Sequence, residues 1–383
     1  MADPGPEGRP NLADLWSGGP PPPGRPEPGG DHTSPVDEIL VVDIAAADLQ
    51  QALAQGFSLR ERRHLGALGL TILRLGLPPG LSAEAAISRF EARASARALA
   101  IDASYEVEAA SCGGEPCWEF QMIGWQAEDV RCGTGMRIGM IDTGIDPDQP
   151  VLRGRRIESR SFVPRSAPHS HGTAIAAILV GRDSGVSGGL LPAAELVAAD
   201  VFGADALGRA RAAALNIASA LDWLAVEKVD VINISIAGPA NALLELAIGK
   251  VLAKGIPIVA AAGNGGPAAG PAYPAAYPGV IAATAVDRDM EVYASANRGS
   301  YIAFAAPGVG LRTPGADGSA LGSGTSYASA FLTAVVAEHI RQAPDPPAAI
   351  EPMLAATALD LGAPGRDEVF GWGLVRAGSL CRG

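Results

Sequence analysis

Aromatic residues are scarce in this chain. They make up 5% of its 383 residues, against 48% hydrophobic residues overall. A core must therefore be built mainly from Ala, Val, Leu and Ile. Basic residues are also few. There are 29 Lys and Arg against 41 Asp and Glu, a formal net charge of −12. Nonspecific binding to a phosphate backbone needs clustered cations, so no nucleic-acid partner is expected. No uninterrupted apolar run approaches the roughly 18 residues of a membrane-spanning helix, so no transmembrane segment is expected. The opening Met1-Ala2-Asp3-Pro4-Gly5-Pro6 has no positive n-region and no apolar h-region, and it is not read as a secretory signal. Only five His are present, so candidates for a catalytic imidazole are few.

Cysteine is limited to Cys112, Cys117, Cys132 and Cys381. C-x4-C followed by one more Cys matches no common zinc site, and no His lies nearby. The expectation is a disulfide, Cys117–Cys132 or Cys112–Cys117, in an oxidising compartment. Free buried thiols are the alternative.

The length suits one large domain with a smaller companion. Residues 1–36 hold ten Pro and seven Gly. Such a segment buries too little apolar surface to offset its ordering entropy, and it reads as disordered. Residues 37–108 read as a small unit. Asp37–Asp43 is a strand. Ala46–Phe57 is a helix with Leu49, Ala52, Leu53 and Phe57 on one face. His64–Leu77 holds one or two strands. Ser82 caps a helix carrying Ala83, Ala86, Ile87 and Phe90. A last strand is expected near Tyr105–Glu108, completing a βαββαβ, ferredoxin-like pattern.

Residues 118–383 alternate strands and helices. The strands expected are Arg137–Asp142, Glu195–Phe202, Val229–Ala237, Ile256–Gly263, Gly279–Asp287 and Ile302–Ala306. They are short and rich in Val, Ile and Ala, as buried parallel strands are. The helices expected are Gly172–Gly181, Arg211–Lys228, Ala242–Lys254, Tyr327–Gln342 and Ala348–Ala356, although Pro352 falls within the last. The fold class is a three-layer α/β/α domain with a mostly parallel sheet, preceded by the small α+β unit.

Four local patterns carry chemistry. Ile138-Gly-Met-Ile-Asp142-Thr-Gly144 is a buried strand ending in an acid, at the sheet edge where α/β folds place ligands. Alone, Asp142 reads equally well as a turn cap. Ser170-His171-Gly172-Thr173-Ala174 puts an imidazole at the start of an apolar helix, with His169 as a competitor. Pro257-Ile-Val-Ala-Ala-Ala-Gly263-Asn264-Gly265 runs a strand into a carboxamide able to donate to an oxyanion, or into a plain turn Asn. Gly322-Ser323-Gly324-Thr325-Ser326-Tyr327-Ala328-Ser329 enters a helix, where a free backbone N–H and the helix dipole favour negative charge. An ordinary N-cap is the bland alternative for Ser326, and Ser323 and Ser329 are its decoys.

In this order, Asp142, His171, Asn264 and Ser326 resemble the subtilisin family, or subtilases. That order differs from those of chymotrypsin-like enzymes and α/β-hydrolases. Asp-Thr-Gly, His-Gly-Thr, Ala-Ala-Gly-Asn and Gly-Thr-Ser-x-Ala are its signature blocks. His171 follows Asp142 by 29 residues and Ser326 follows His171 by 155, as in a compact member. Val231–Pro239, Tyr273–Pro278 and Ala305–Gly308 match as well, and the resemblance covers about residues 120–375. It implies a serine endopeptidase acting on polypeptides. Ser326 would be the nucleophile, His171 the general base, Asp142 its orienting partner and Asn264 an oxyanion donor. Ser235, Ile236, Ala237 and Gly238 would pair with substrate and wall the specificity pocket. Gly263 would form the other wall, and Ala272 the base.

The chain departs from the family where Ala330 and Phe331 replace Pro and His, and where Gln149-Pro150 replaces His-Pro. No cofactor is expected. The calcium sites of many family members cannot be traced; Asp146 and Asp148 are candidate ligands, with exposed turn acids as the preferred reading. The resemblance makes residues 37–108 a propeptide, an inhibitory partner cut away between about Ala100 and Gly124. A permanent accessory domain is the other reading. A monomer is expected, secreted or periplasmic, with the cytoplasm as the alternative. Two rival functions are an inactive subtilase-like binding protein and a nucleotide-binding α/β protein. Gly133-Thr-Gly135-Met-Arg-Ile138 lacks the third glycine of the dinucleotide fingerprint, which disfavours the latter.

Overall fold

A sheet whose strands are apolar on both faces must be covered on both faces. The computed structural model describes residues 37–91, 98–100, 104–105, 118–125, 131–146, 148–167, 170–181, 189–204, 210–315, 318–343 and 346–377. The N-terminal elements are β1 (Glu38–Val42), α1 (Ala46–Ala54), β2 (Ser58–Leu65), β3 (Leu70–Gly76), α2 (Ala83–Glu91) and β4 (Ala98–Ala100), followed by β5 (Ser104–Tyr105). Next come α3 (Trp118–Ile123), β6 (Arg137–Asp142), β7 (Arg156–Ser161), α4 (Ser170–Val180), β8 (Glu195–Asp200), β9 (Phe202–Ala204), β10 (Ala210–Ala213) and α5 (Ala214–Val226). The last are β11 (Val231–Ile234), α6 (Ala242–Leu252), β12 (Ile258–Ala261), β13 (Ile281–Val286), β14 (Ile302–Pro307), β15 (Leu311–Gly315), β16 (Gly318–Gly322), α7 (Thr325–Gln342) and α8 (Pro347–Ala355).

The central sheet has seven strands in the order β14-β13-β12-β11-β6-β8-β7. Every pairing in it is parallel. Because side chains alternate along a strand, each strand feeds two cores. Ile138, Met140, Leu196, Ala198, Val231 and Val259 join α4, α7 and α8 on one face. Ile141, Val197, Ala199, Ile232, Ile234 and Ile258 join α5 and α6 on the other. The expected three-layer α/β/α architecture is what forms.

The N-terminal unit has its own antiparallel sheet in the order β2-β3-β1-β4, with α1 and α2 as the connecting helices of a ferredoxin-like fold. Leu40, Val42, Leu65, Leu68, Leu70 and Ile72 share one apolar cluster with α5 and α6. The Arg63 guanidinium donates to Ser219 Oγ at 2.7 Å, and the Leu68 N–H donates to Asp222 Oδ1 at 3.0 Å. Strand β5 pairs antiparallel with β10.

Several expectations are corrected. The fourth strand of the small sheet is Ala98–Ala100 rather than Tyr105–Glu108. Of the latter span, Tyr105 pairs with β10 instead, and residues 106–108 lie outside the described residues. Strand β7, Arg-Ile-Glu-Ser-Arg-Ser, has no apolar run because it is an exposed sheet edge. Pro352 sits inside α8 without ending it. Helix α3, the β15–β16 hairpin and β10 were not expected. The segment 1–36 and Cys112, Cys117 and Cys381 lie outside the described residues. Cys132 is buried and disulfide-bonded. No described helix is long and apolar enough to cross a membrane.

Candidate active site

Strand β6 delivers Asp142 to the C-terminal edge of the sheet, and α4 begins beside it with Ser170-His171. Asp142 and His171 are both buried. Nδ1 of His171 lies 2.7 Å from Oδ1 of Asp142 and 3.0 Å from Oδ2. The Thr143 N–H also donates to Oδ1, at 2.6 Å. A carboxylate only accepts, so Nδ1 carries a proton, and in the neutral ring Nε2 holds the lone pair. Nε2 is buried and has no hydrogen-bond partner among the described residues.

Gly172 is what allows this approach. A Cβ there would overlap the Thr143 carbonyl oxygen and stand 2.7 Å from that of Gly144. Thr143 Oγ1 accepts the Gly172 N–H at 2.8 Å, and Thr173 Oγ1 accepts the Asp146 N–H at 2.9 Å. These two threonines bind strand end to helix start. His169 lies outside the described residues.

Ser326 occupies the first turn of α7, where N–H groups have no carbonyl one turn back within the helix. Its Oγ donates to the Ser235 carbonyl at 3.4 Å. Next to it, the Tyr327 ring packs on the imidazole of His171, centroids 5.8 Å apart and planes inclined by 49°. Burial, with the Asp142 carboxylate nearby, pushes the Tyr327 phenol up to about 12, so it stays neutral in ordinary buffers. The decoys have other employment. Ser329 Oγ donates to the Ser326 carbonyl at 2.8 Å, and Ser323 Oγ accepts the Gly310 N–H at 2.9 Å. Beneath Ser326 runs a buried polar ladder. Thr333 Oγ1 donates to Asn233 Oδ1 at 3.1 Å, and Asn233 Nδ2 donates to Ser235 Oγ at 2.8 Å.

Asn264 follows β12. Its Oδ1 accepts the N–H and the hydroxyl of Thr325, both at 3.0 Å. With the oxygen held there, Nδ2 is directed to the other side of the carboxamide. Thr325 Oγ1 also accepts the Gly263 N–H at 3.1 Å. Thr325 was missed in the sequence because it sits inside a motif read for its serine.

The expected substrate segments face one another. Gly238 and Tyr273 exchange N–H···O bonds of 2.9 Å in both directions. Ser235 and Ile236 are buried, while Ala237 and Gly238 are partly exposed, so the first two offer mainly backbone. Gly263 has φ of +100°, and a Cβ there would stand 2.9 Å from the methyl of Ala272. The methyl of Ala272 therefore closes on the loop after β12 that carries Gly263.

Among the described residues, no group of three or more His, Cys, Asp or Glu is placed to hold a metal ion. Asp146 is engaged locally, accepting the Asp148 N–H at 3.0 Å and the Gln149 amide at 3.2 Å. Phe331, where the family has His, is fully buried and meets Phe120 of α3 edge-on at 6.0 Å.

Comparison with known proteins identifies the family. Residues 133–373 match the model of the subtilase family, peptidase S8. Subtilisin BL of Lederbergia lenta is 31% identical over 261 residues, which are 65% of this chain and 92% of that protein. Minor extracellular protease Epr of Bacillus subtilis is 27% identical over 249 residues, 64% of this chain, and the chain spans only 38% of its length. Among solved structures, fervidolysin from Fervidobacterium pennivorans, a keratinolytic enzyme related to subtilisin, shares the fold. Its TM-score is 0.76 at 21% identity, covering 91% of this chain and 61% of that one. The chain belongs to the subtilase family of serine endopeptidases.

Proposed function

We propose that this chain hydrolyses peptide bonds with Ser326, His171 and Asp142. The observation that carries the reading is the buried Asp142–His171 pair. It fixes the tautomer that leaves Nε2 basic, and the helix bearing Ser326 starts alongside. Ser326 Oγ attacks the substrate carbonyl carbon while its proton passes to Nε2 of His171. The carbonyl oxygen becomes an oxyanion facing Asn264 Nδ2 and the Ser326 N–H. The C–N bond then breaks, and His171 returns the proton to the departing amine. Water, deprotonated by the same nitrogen, releases the acyl group from Ser326. Asp142 keeps the ring oriented and stabilises its charged form throughout. The Ser326–His171 hydrogen bond closes in the substrate complex, as such bonds tighten on binding.

Substrates are extended polypeptides, paired by strand addition to Ser235–Ala237, while Gly238 is held by its bonds to Tyr273. The N-terminal unit is proposed to act as an inhibitory propeptide. Its apolar contact with α5 and α6 and the β5–β10 pairing support that reading. Cleavage falls between about Ala100 and Gly124. Phe120 and Ile123 of α3 are buried, which favours a bond before Trp118. The disulfide at Cys132 supports an oxidising, exported location, and the processed enzyme is proposed to act as a monomer. The test is casein hydrolysis by the full chain and by Ser326→Ala. The parent should shed its N-terminus and digest casein, while the variant keeps its fold and does neither. Digestion by the variant would sink the assignment.

A further inference from the structure

The loop that carries Asn264 is Gly263-Asn264-Gly265-Gly266, a sequence with the greatest freedom a backbone can have. An oxyanion donor is effective only if it is fixed in place before the reaction. Something must therefore remove that freedom. Thr325 holds the Asn264 side-chain oxygen and the Gly263 N–H, but neither contact restrains the backbone on the far side of Asn264.

Asn297 does. It is buried in the turn between β13 and β14. Its own N–H donates to the Gly263 carbonyl at 3.0 Å. Its Oδ1 accepts the Gly265 N–H at 2.7 Å. Its Nδ2 donates to the Gly270 carbonyl at 3.0 Å, at the far end of the loop. One residue thus grips the peptide groups on either side of Asn264 and ties the loop back towards Ala272. Two neighbours reinforce the frame. The Gly266 N–H donates to the Ser295 carbonyl at 2.8 Å, and the Tyr301 hydroxyl donates to the Ala262 carbonyl at 2.7 Å.

We infer that Asn297 is the positioning residue of the oxyanion site: it immobilises the glycine-rich loop so that Asn264 Nδ2 meets the developing oxyanion. Asn297 touches no reacting atom and acts through Asn264. The inference rests on the oxyanion role proposed for Asn264, and the test separates the two.

Steady-state kinetics on a peptide amide would be run for the processed parent, Asn264→Ala, Asn297→Ala and the double variant, with unfolding midpoints alongside. Asn264→Ala should lower kcat by about 10²–10³, the loss known for one such donor in a subtilisin. Asn297→Ala should lower kcat at least about tenfold with KM within about threefold, the signature of an interaction used in the transition state. In the Asn264→Ala background, the same change should lower kcat by less than about twofold, because its route of action is gone. If Asn297→Ala does not fold, Asn297→Asp takes its place, since it keeps the acceptor for Gly265 and loses the donor to Gly270. Equal losses in both backgrounds, or a parental kcat with Asn264 intact, would overturn the inference alone. A parental kcat in Asn264→Ala would overturn the oxyanion role and the inference with it.

Discussion

Thr325 grips Asn264 twice through a single oxygen, with its N–H and its hydroxyl each 3.0 Å from Oδ1. The first residue of the nucleophile's helix is thereby tied to the residue expected to meet the oxyanion. Ser326, the proposed nucleophile, and Asn264, the proposed oxyanion donor, thus share one frame, so a shift of α7 carries both.

Replacing Thr325 with Val keeps the shape and removes the hydroxyl. Asn264 keeps one bond, and the Gly263 N–H loses its acceptor. One hydrogen bond is worth about 1 kcal/mol, and about 1.4 kcal/mol is tenfold in rate. The expected result is a kcat lowered about five- to tenfold with KM nearly unchanged, read from initial rates. An unchanged kcat would mean that the backbone contact suffices.

Gly172→Ala forces a methyl against the Thr143 and Gly144 carbonyl oxygens. Helix α4 must retreat, stretching the 2.7 Å contact between His171 and Asp142. A displacement near 1 Å in such a site costs about 10²-fold in kcat/KM. Gly249 of α6 is the control, since a Cβ there meets nothing within 4 Å. Gly249→Ala should keep full activity and gain up to about 1 kcal/mol in helix stability.

Much of this site was legible because its chemistry is local in sequence. Asp142 ends a strand, His171 and Ser326 lie at helix starts, Asn264 sits in the loop just after β12, and apolar runs make those boundaries visible. Residues that act across the fold were not legible. Asn297 sits in Ala-Ser-Ala-Asn-Arg-Gly, which reads as a plain loop, and its role appears only when Gly263, Gly265 and Gly270 fold around it. The same holds for Asn233, which looks like a polar break in Val-Ile-Asn-Ile. It is in fact on the α7 face of β11, bonded to Thr333. Strand β7 escaped notice because a sheet edge has no need of two apolar faces.

Alkaline stability should depend on Tyr277. Its hydroxyl accepts the Asn241 N–H at 2.7 Å and donates to the Asn241 carbonyl at 2.8 Å. Burial pushes its phenol up to about 12 from the ordinary 10.0. The folded state thus holds the proton more tightly than the unfolded chain. The resulting stability is complete below pH 10 and is lost as pH rises towards 12. Two pH units correspond to about 2–3 kcal/mol. Denaturant unfolding of Ser326→Ala, chosen to prevent self-digestion, should show that decline. Adding Tyr277→Phe should lower stability near neutrality and flatten the fall between pH 10 and 12. An unchanged slope would contradict the role given to this phenol.

Latency should respond to Asp222. Its carboxylate accepts the Leu68 N–H from the β2–β3 turn, and a hydrogen bond to a charged group is worth about 1.5–3 kcal/mol. Asp222→Ala should loosen the N-terminal unit about tenfold or more and shorten the lag before activity appears, leaving the final rate unchanged. A lag equal to that of the parent would argue that this contact does not hold the unit in place.

His171 is proposed to make the hydroxyl of Ser326 a nucleophile. That role is tested most directly with a fluorophosphonate probe on the processed protein, the adduct being mapped by mass spectrometry. One phosphonylated residue is expected, Ser326, with labelling abolished in Ser326→Ala and greatly slowed in His171→Ala. A probe that leaves Ser326 unmodified, or that still labels the Ser326→Ala protein, would contradict it.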